Sequence, residues 1–184
     1  DSGTQRRAVG SDGVAVIAQD IDLLRTISLV DSPGTNAIDR RHEALTKEYL
    51  PKCDLVLFVT SADRPFSESE RLFLKSIRSW GKKCILIINK VDLLPDVFTK
   101  NEVVNFVKSS SRALLGSSPQ ILPVSSRHAL EAKNSATKTS GPHWDASGFE
   151  ALESFIHKRL DADERLRIKL ESVASVGDAV GTKY

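Results

Sequence analysis

Short apolar runs alternate with amphipathic stretches along most of the chain. The apolar runs contain many β-branched residues and end at polar or turn-forming residues, which predicts five strands, at residues 14–18, 23–30, 54–60, 84–88 and 120–124. The third run (DLVLFVT) has the continuous apolar character of a parallel strand that is buried on both faces. We expect the first two runs to pair as a hairpin, and the glycine-rich residues 1–13 to form a disordered or loop segment.

Helix starts are predicted from three capping boxes, in which Ser or Thr is followed three residues later by Glu. These boxes begin at Ser67, Thr99 and Ser147. Gly81 and Gly116 are the predicted stops of the first two helices. The first helix should bury an apolar stripe of Leu72, Phe73, Ile77 and Trp80. A shorter helix is expected over residues 43–50, before a proline.

Strands that alternate with helices predict an α/β domain, over residues 14–160, with a mostly parallel sheet covered on both faces. Residues 131–147 are rich in Ser, Thr, Lys, Asn, Gly and Pro, which predicts a mobile insertion. Residues 161–184 begin with charges of both signs, as a solvated helix that leaves the domain would, and end in a tail to which we assign no element.

Composition narrows the range of functions. The chain has 26 Lys and Arg against 24 Asp and Glu, so no basic excess favours nucleic acid as a partner. No run approaches the roughly 18 apolar residues that span a bilayer. We interpret Cys53 and Cys84 as small buried residues and His42, His128, His143 and His157 as surface residues without partners at catalytic spacing. The absence of methionine predicts that the chain is a fragment or a processed product.

Three polar motifs follow predicted strands directly. They are residues 31–34 (DSPG), 89–92 (NKVD) and 123–126 (PVSS). Because parallel strands end at one edge of a sheet, where open α/β sheets bind ligands, we expect these loops to form one site. In this order the motifs resemble the third, fourth and fifth nucleotide motifs of the GTP-binding proteins. The first two motifs, including the P-loop pattern G-x-x-x-x-G-K-[ST], are missing from the sequence.

The second and third motifs suit recognition of guanine. Guanine presents N1–H beside its exocyclic amine, and the two oxygens of the Asp92 carboxylate can accept both hydrogen bonds, a pair that adenine does not offer. Asn89 would bridge the base edge to the neighbouring loops, and the aliphatic stem of Lys90 would cover the base plane. Ser125 would brace its loop, with the backbone N–H of Ser126 directed at guanine O6.

The first motif suits magnesium and a terminal phosphate. Asp31, beside a tight turn, can hold Mg²⁺ through a water, because Mg²⁺ prefers oxygen ligands and keeps much of its hydration. Gly34 has no side chain, so its backbone N–H can approach the phosphate closely. The conformational freedom of this glycine would make residues 34–41 a switch that moves when the phosphate leaves. Asp31 and Gly34 are therefore the predicted catalytic residues.

Residues 31–74 and 124–133 together resemble the dynamin-like GTPases of the bacterial and fuzzy-onion or mitofusin branch, including the plant fuzzy-onion-like group of chloroplast membranes. The resemblance covers about residues 14–171. It implies a three-layer GTPase domain of the P-loop NTPase type that binds GTP or GDP with Mg²⁺ and hydrolyses GTP. It also implies a nucleotide-dependent homodimer, membrane remodelling or fusion through anchors outside this chain, and a chloroplast thylakoid or envelope membrane, with the mitochondrial outer membrane as the alternative.

The missing P-loop has two expected consequences. Residues 177–183 (GDAVGTK) imitate a P-loop but have the wrong spacing, so the P-loop strand and helix are expected to be absent, and the chain alone should bind GTP weakly or not at all. Loss of that central strand would leave strand edges unpaired and the chain prone to aggregate. Two alternatives stay open: a binding module that no longer handles nucleotide, and a translation or RNA-processing GTPase, which the lack of a basic face disfavours.

Overall fold

A computed structural model of the chain describes residues 6–9, 15–25, 27–31, 49–135, 139–159, 168, 170–171 and 173–174. Its contacts divide the chain into two units, Asp1–Pro33 and Gly34–Tyr184, and each is described by itself. Within these residues, no helix is both long enough and apolar enough to cross a bilayer. The predicted switch at residues 34–41, residues 43–48 of the helix predicted over 43–50, and the tail from residue 175 lie outside the described residues.

The first unit contains an antiparallel hairpin of β1 (Arg6–Val9) and β2 (Ala15–Ala18), with Arg7 opposite Ile17. A 3-10 helix follows at Asp22–Arg25, and residues 27–31 have no regular structure.

Two predictions for this unit were wrong. Residues 6–9 form a strand rather than a loop, and the described residues of the run at 23–30 form no strand, so β2 pairs with β1 instead of with the later run. Leu29 and Val30 are 66% and 61% exposed. An apolar run has strand propensity, but a strand forms only where a neighbouring strand accepts its backbone hydrogen bonds. Among the described residues, none pairs with residues 23–30.

The second unit is built on a parallel sheet of β3 (Leu55–Ser61), β4 (Lys83–Asn89) and β5 (Ile121–Pro123), in that spatial order. Thr60 lies opposite Ile88, and Ile88 lies opposite Pro123, so the carboxyl ends of the strands are aligned. The helices of this unit are α1 (Glu68–Ser79), α2 (Val97–Leu115), α3 (Ser126–Asn134), α4 (Pro142–Ser147) and α5 (Phe149–Arg159), with 3-10 turns at Leu50–Lys52 and Val91–Leu93.

Alternating residues of β4 are buried on opposite faces of the sheet. Leu86 and Ile88 belong to a core that includes Leu74 and Ile77 of α1 and Val107 of α2. On the other face, the neighbouring isoleucines of β4 pack against Leu152 of α5. Helices therefore cover both faces of a parallel sheet, which confirms the predicted three-layer α/β fold.

The helix starts and stripes match the sequence in part. The capping box of α1 is confirmed, with the Ser67 N–H donating to Glu70 Oε2 at 2.7 Å. By contrast, α2 begins before its predicted box, because Asp96 is the N-cap and its carboxylate accepts the Thr99 N–H at 2.7 Å. In α1, Leu74 is buried and Leu72 is 56% exposed, since the face that meets the sheet is set by Leu74 and Ile77, three residues apart.

The two segments predicted to lie outside the core pack onto it. Residues 131–147 contain the end of α3 and all of α4, and Trp144 of α4 is buried. The third predicted capping box does not form as expected, because Ser147 closes α4 and its Oγ accepts the N–H of Phe149. Ile168 is buried, and Glu171 pairs with Lys83 of β4 at 2.9 Å, so these helical residues contact the domain rather than leave it.

The predicted burial is confirmed for Cys84 and only partly for Cys53. Both are free thiols, Cys84 is buried within β4 and Cys53 is half-buried. Burial raises the pKa of Cys84 to about 12 and also raises the pKa of Cys53.

Candidate functional site

The ends of β4 and β5 bring two of the predicted motifs together. Asn89 is the last residue of β4, and Ser125 lies two residues beyond β5. The Val124 N–H donates to the Ile88 carbonyl at 2.8 Å, and the Val91 N–H donates to the Val124 carbonyl at 3.2 Å. The two loops are therefore joined by backbone hydrogen bonds that continue the sheet past its last paired residues.

Asn89 links the loops through its side chain. Its Oδ1 accepts the backbone N–H of Lys90 at 2.8 Å and that of Ser126 at 3.0 Å. The second bond joins the two loops, and the contact predicted between Asn89 and the base edge stays a prediction. It also means that the Ser126 N–H, predicted to face guanine, is donated to Asn89 in this structure.

Lys90 has a left-handed backbone, with φ 65° and ψ 32°. A lysine rarely adopts this backbone conformation, because it costs about 1–3 kcal/mol of conformational free energy. Residues with such strained backbones occur most often at functional sites. The turn directs the chain from β4 into the Val91–Leu93 3-10 helix, and the Lys90 side chain is exposed. Asp63 follows β3 at the same edge, and its pKa is lowered first by a hydrogen bond from the Ser61 hydroxyl and more weakly by the charge of Lys90.

Asp92 is a buried carboxylate with two polar partners. Its side chain is 4% exposed, Oδ1 accepts the Ser125 hydroxyl at 2.5 Å, and Oδ2 lies 3.1 Å from the Arg127 guanidinium. The Ser125 hydrogen bond is the largest cause of its lowered pKa, and the charges of Arg127 and His128 act in the same direction. The group is therefore ionised at neutral pH. A carboxylate has about four acceptor positions, so these two contacts leave one on each oxygen.

Ser125 is held from three directions. Its side chain is fully buried, and its Oγ accepts the His128 N–H at 3.2 Å as the N-cap of α3 while it donates to Asp92. Its backbone N–H donates to the Ser147 carbonyl at 2.7 Å. The position of the Asp92 carboxylate thus depends on the α4–α5 junction.

Gly148 forms that junction. It has φ +69°, and a Cβ at this position would lie 2.4 Å from the Pro123 carbonyl oxygen, well inside contact distance. The Ser147 hydroxyl also donates to the Trp144 carbonyl at 2.6 Å. Only glycine allows the junction to approach β5 this closely, and the approach sets the Ser147–Ser125 hydrogen bond.

Comparison with known proteins identifies the family. A dynamin-family model matches residues 6–91. Over 95% of its length the chain is 39% identical to a probable chloroplastic transmembrane GTPase, FZO-like, of Arabidopsis thaliana. This chain contains a dynamin-family domain. It is also 29% identical, over 58% of its length, to dynamin-like protein A of Bacillus subtilis.

A solved structure has a fold similar to that of this dynamin-family chain. It is described as an oligomerised bacterial dynamin pair with a mechanism for long-range sensing and tethering of membranes, and it covers 91% of this chain with a TM-score of 0.66 at 20% identity. The chain spans 21% of the length of the Arabidopsis protein, 9% of the Bacillus protein and 26% of that solved chain.

In this dynamin-family domain, four of the predicted residues form a cluster of two hydrogen-bonded pairs, Asn89 with Ser126 and Asp92 with Ser125. Lys90 lies beside them. Asp31 is exposed and belongs to the other unit, and Gly34 lies outside the described residues.

The sequence reasoning missed three contributors to the cluster, which are Arg127, Ser147 and Gly148. Arg127 directly follows the third motif, so the sequence could have indicated that it lies near the site. The Ser147–Gly148 pair was visible only as a helix signal, because its contact with Ser125 joins segments 22 residues apart in the sequence.

Proposed function

We propose that this chain contains the guanine-reading part of a domain that binds and hydrolyses GTP in a dynamin-like protein that remodels or fuses membranes. The observation that carries the proposal is the Asp92 carboxylate, which is buried, ionised and fixed by Ser125 with one acceptor position left on each oxygen. Two adjacent N–H groups of guanine fit those two positions. Adenine offers no such pair, so it would leave the two remaining acceptor positions of this carboxylate unsatisfied, which is costly.

The other base contacts follow from the same loops. Asn89 holds the two loops at the spacing that Asp92 and Ser125 require. The Lys90 side chain is exposed after a left-handed turn, which suits a stem that covers one face of the base. Ser126 contributes its backbone N–H, either to Asn89 as in this structure or to guanine O6 when a base is bound.

Asp31 and Gly34 are proposed to act on the phosphate side. The Asp31 carboxylate is exposed and supplies the oxygen chemistry that Mg²⁺ prefers. Bound Mg²⁺ would neutralise charge on the phosphates, and Asp31 would orient a water of its hydration shell. Gly34 would admit the terminal phosphate next to the backbone of residues 34–41.

The phosphate cradle is proposed to come from outside this sequence, since no P-loop pattern is present in the 184 residues. These residues alone are therefore expected to be inactive. Membrane attachment through segments outside the chain, a nucleotide-dependent homodimer and a chloroplast thylakoid or envelope location are proposed by analogy with the dynamin-family relatives.

The test is a titration of GDP, xanthosine diphosphate and ADP, each with Mg²⁺, into this chain and into a version extended upstream through a P-loop. We expect guanine-selective binding by the extended version alone. Binding of GDP by neither version would instead favour a binding module that no longer handles nucleotide.

Asp92→Asn in the extended version tests the base contact. This change replaces one acceptor by a donor, so GDP affinity should fall at least about tenfold, given about 1.5–3 kcal/mol for each hydrogen bond to a charged group. Affinity for xanthosine diphosphate should rise, because xanthine carries a carbonyl where guanine carries the amine. Asp63→Asn is the matched control, since Asp63 also accepts a serine hydroxyl at this edge of the sheet but is exposed. Equal losses of GDP affinity in both variants would contradict the assignment.

A further inference from the structure

Two histidines and a glutamate converge where α3 packs against α4. His128 and Glu131 lie three residues apart on α3, and His143 is the second residue of α4. One ligand atom from each of the three lies within 4.8 Å of the others. The sequence interpretation treated both histidines as surface residues without partners, and the packing of α4 on α3 supplies the partners.

One ligand pair and the spacing of the two imidazoles are close to those of a tetrahedral metal site. His143 Nδ1 lies 3.5 Å from Glu131 Oε2, which exceeds the usual length of a hydrogen bond. Two ligand atoms about 2.05 Å from a tetrahedral ion would be about 3.3 Å apart. The two imidazole ring centroids are 5.5 Å apart at 65°, and two imidazoles bound to one such ion would have centroids about 5.2 Å apart.

We propose that His128, Glu131 and His143 bind one divalent transition-metal ion of the zinc class, with water in the fourth position. Two imidazoles and one carboxylate are ligands that zinc accepts, whereas Mg²⁺ prefers oxygen alone. The three ligand side chains are not those of the guanine cluster. The imidazole of His128 faces His143, while its backbone N–H donates to Ser125 and its charge also acts on Asp92.

The surroundings leave the ligands accessible to an ion. His143 and Glu131 are 64% and 49% exposed. The ammonium group of Lys133, on the same helix, is 2.6 Å from Glu153 and lies over the Trp144 ring, so its charge is already paired. A bound ion would link α4 to α3, the helix that begins directly after Ser125. Because the ion would bind only the folded chain, it should raise the unfolding temperature.

The site is tested by titrating Zn²⁺ into the untagged 184-residue chain in competition with a chromophoric chelator. We expect one ion per chain, with affinity reduced at least about tenfold in His128→Ala and in His143→Ala. His157→Ala is the matched control, since His157 is an exposed histidine of α5 outside the cluster, and this variant should bind as the parent does.

A second readout locates the ion. Trp80→Phe leaves Trp144 as the single tryptophan, next to the ligand His143. Cu²⁺, which quenches nearby indole fluorescence, should quench this variant in a saturable way, and His143→Ala should abolish saturation. Absence of Zn²⁺ binding, or equal affinity in the parent and both ligand variants, would overturn the site and leave an ordinary surface ion pair.

Discussion

Gly148→Ala tests whether the close approach of the α4–α5 junction to β5 supports the candidate guanine site. An L-residue at φ +69° carries backbone strain of about 1–2 kcal/mol. The new Cβ would lie 2.4 Å from the Pro123 carbonyl oxygen, which is rigid backbone rather than a movable side chain. Relief of that contact requires a backbone shift, which typically costs about 1–3 kcal/mol in a packed interior.

Gly116→Ala is the matched control. Gly116 has nearly the same backbone, with φ +73°, but its added Cβ would meet the Arg78 guanidinium at 3.1–3.3 Å, and this side chain can move away. The strain of the left-handed backbone is thus common to both variants, and the clash with a backbone carbonyl occurs only in Gly148→Ala. We expect Gly148→Ala to lower the free energy of unfolding by about 1–3 kcal/mol more than Gly116→Ala does.

The assay is urea denaturation of both variants and the parent, followed by far-UV circular dichroism. In the extended, P-loop-containing version, Gly148→Ala should also weaken GDP binding, because the shift would move the Ser147 carbonyl away from the Ser125 N–H. Equal stability of the two alanine variants would refute the reasoning. Full GDP affinity in Gly148→Ala would show that the Ser125–Ser147 contact does not support the site.

Three further outcomes are expected. The pKa of Asp92 is lower in the folded chain than its ordinary value of about 3.9. Its contribution to stability is therefore complete above about pH 4 and is lost as the pH falls through the folded pKa. The urea midpoint of unfolding should drop over this acidic range, and it should drop less in Asp92→Asn. Cys84, with a pKa of about 12, is about one part in ten thousand thiolate at pH 8. Its alkylation, followed by mass spectrometry, should be at least about a thousandfold slower in the folded chain than in urea, and comparable rates would contradict its burial. Among the described residues β3 pairs only with β4, and Val59 on β3 is 55% exposed, so Val59→Lys should reduce aggregation in size-exclusion chromatography. A monomeric parent with a cooperative melt would show that the edge is not a liability.

Much of the second unit was predictable because its signals are local. The continuous apolar runs predicted the positions of β3 and β4. The predicted burial on both faces holds for β4 but not for β3, where Val59 is 55% exposed. The capping box at Ser67 and the stop at Gly116 follow from backbone hydrogen bonds within one helical turn, so neighbouring residues suffice to fix them. The contacts of Asn89 with Ser126 and of Asp92 with Ser125 were predictable for a related reason, because parallel strands deliver their carboxyl ends to one edge.

Features that depend on distant partners were not predictable from the sequence. The run at residues 23–30 has the composition of a strand but finds no strand partner among the described residues, whereas residues 6–9 gain one in β2. The polar residues 131–147 have the composition of an insertion, yet Trp144 is buried there. The same segment provides the Ser147 carbonyl that accepts the Ser125 N–H, and it provides the proposed metal ligand His143. The sequence by itself determined that polar motifs follow the ends of β4 and β5. Only the tertiary structure decided which of their residues meet, because contacts between segments far apart depend on how the helices pack against the sheet.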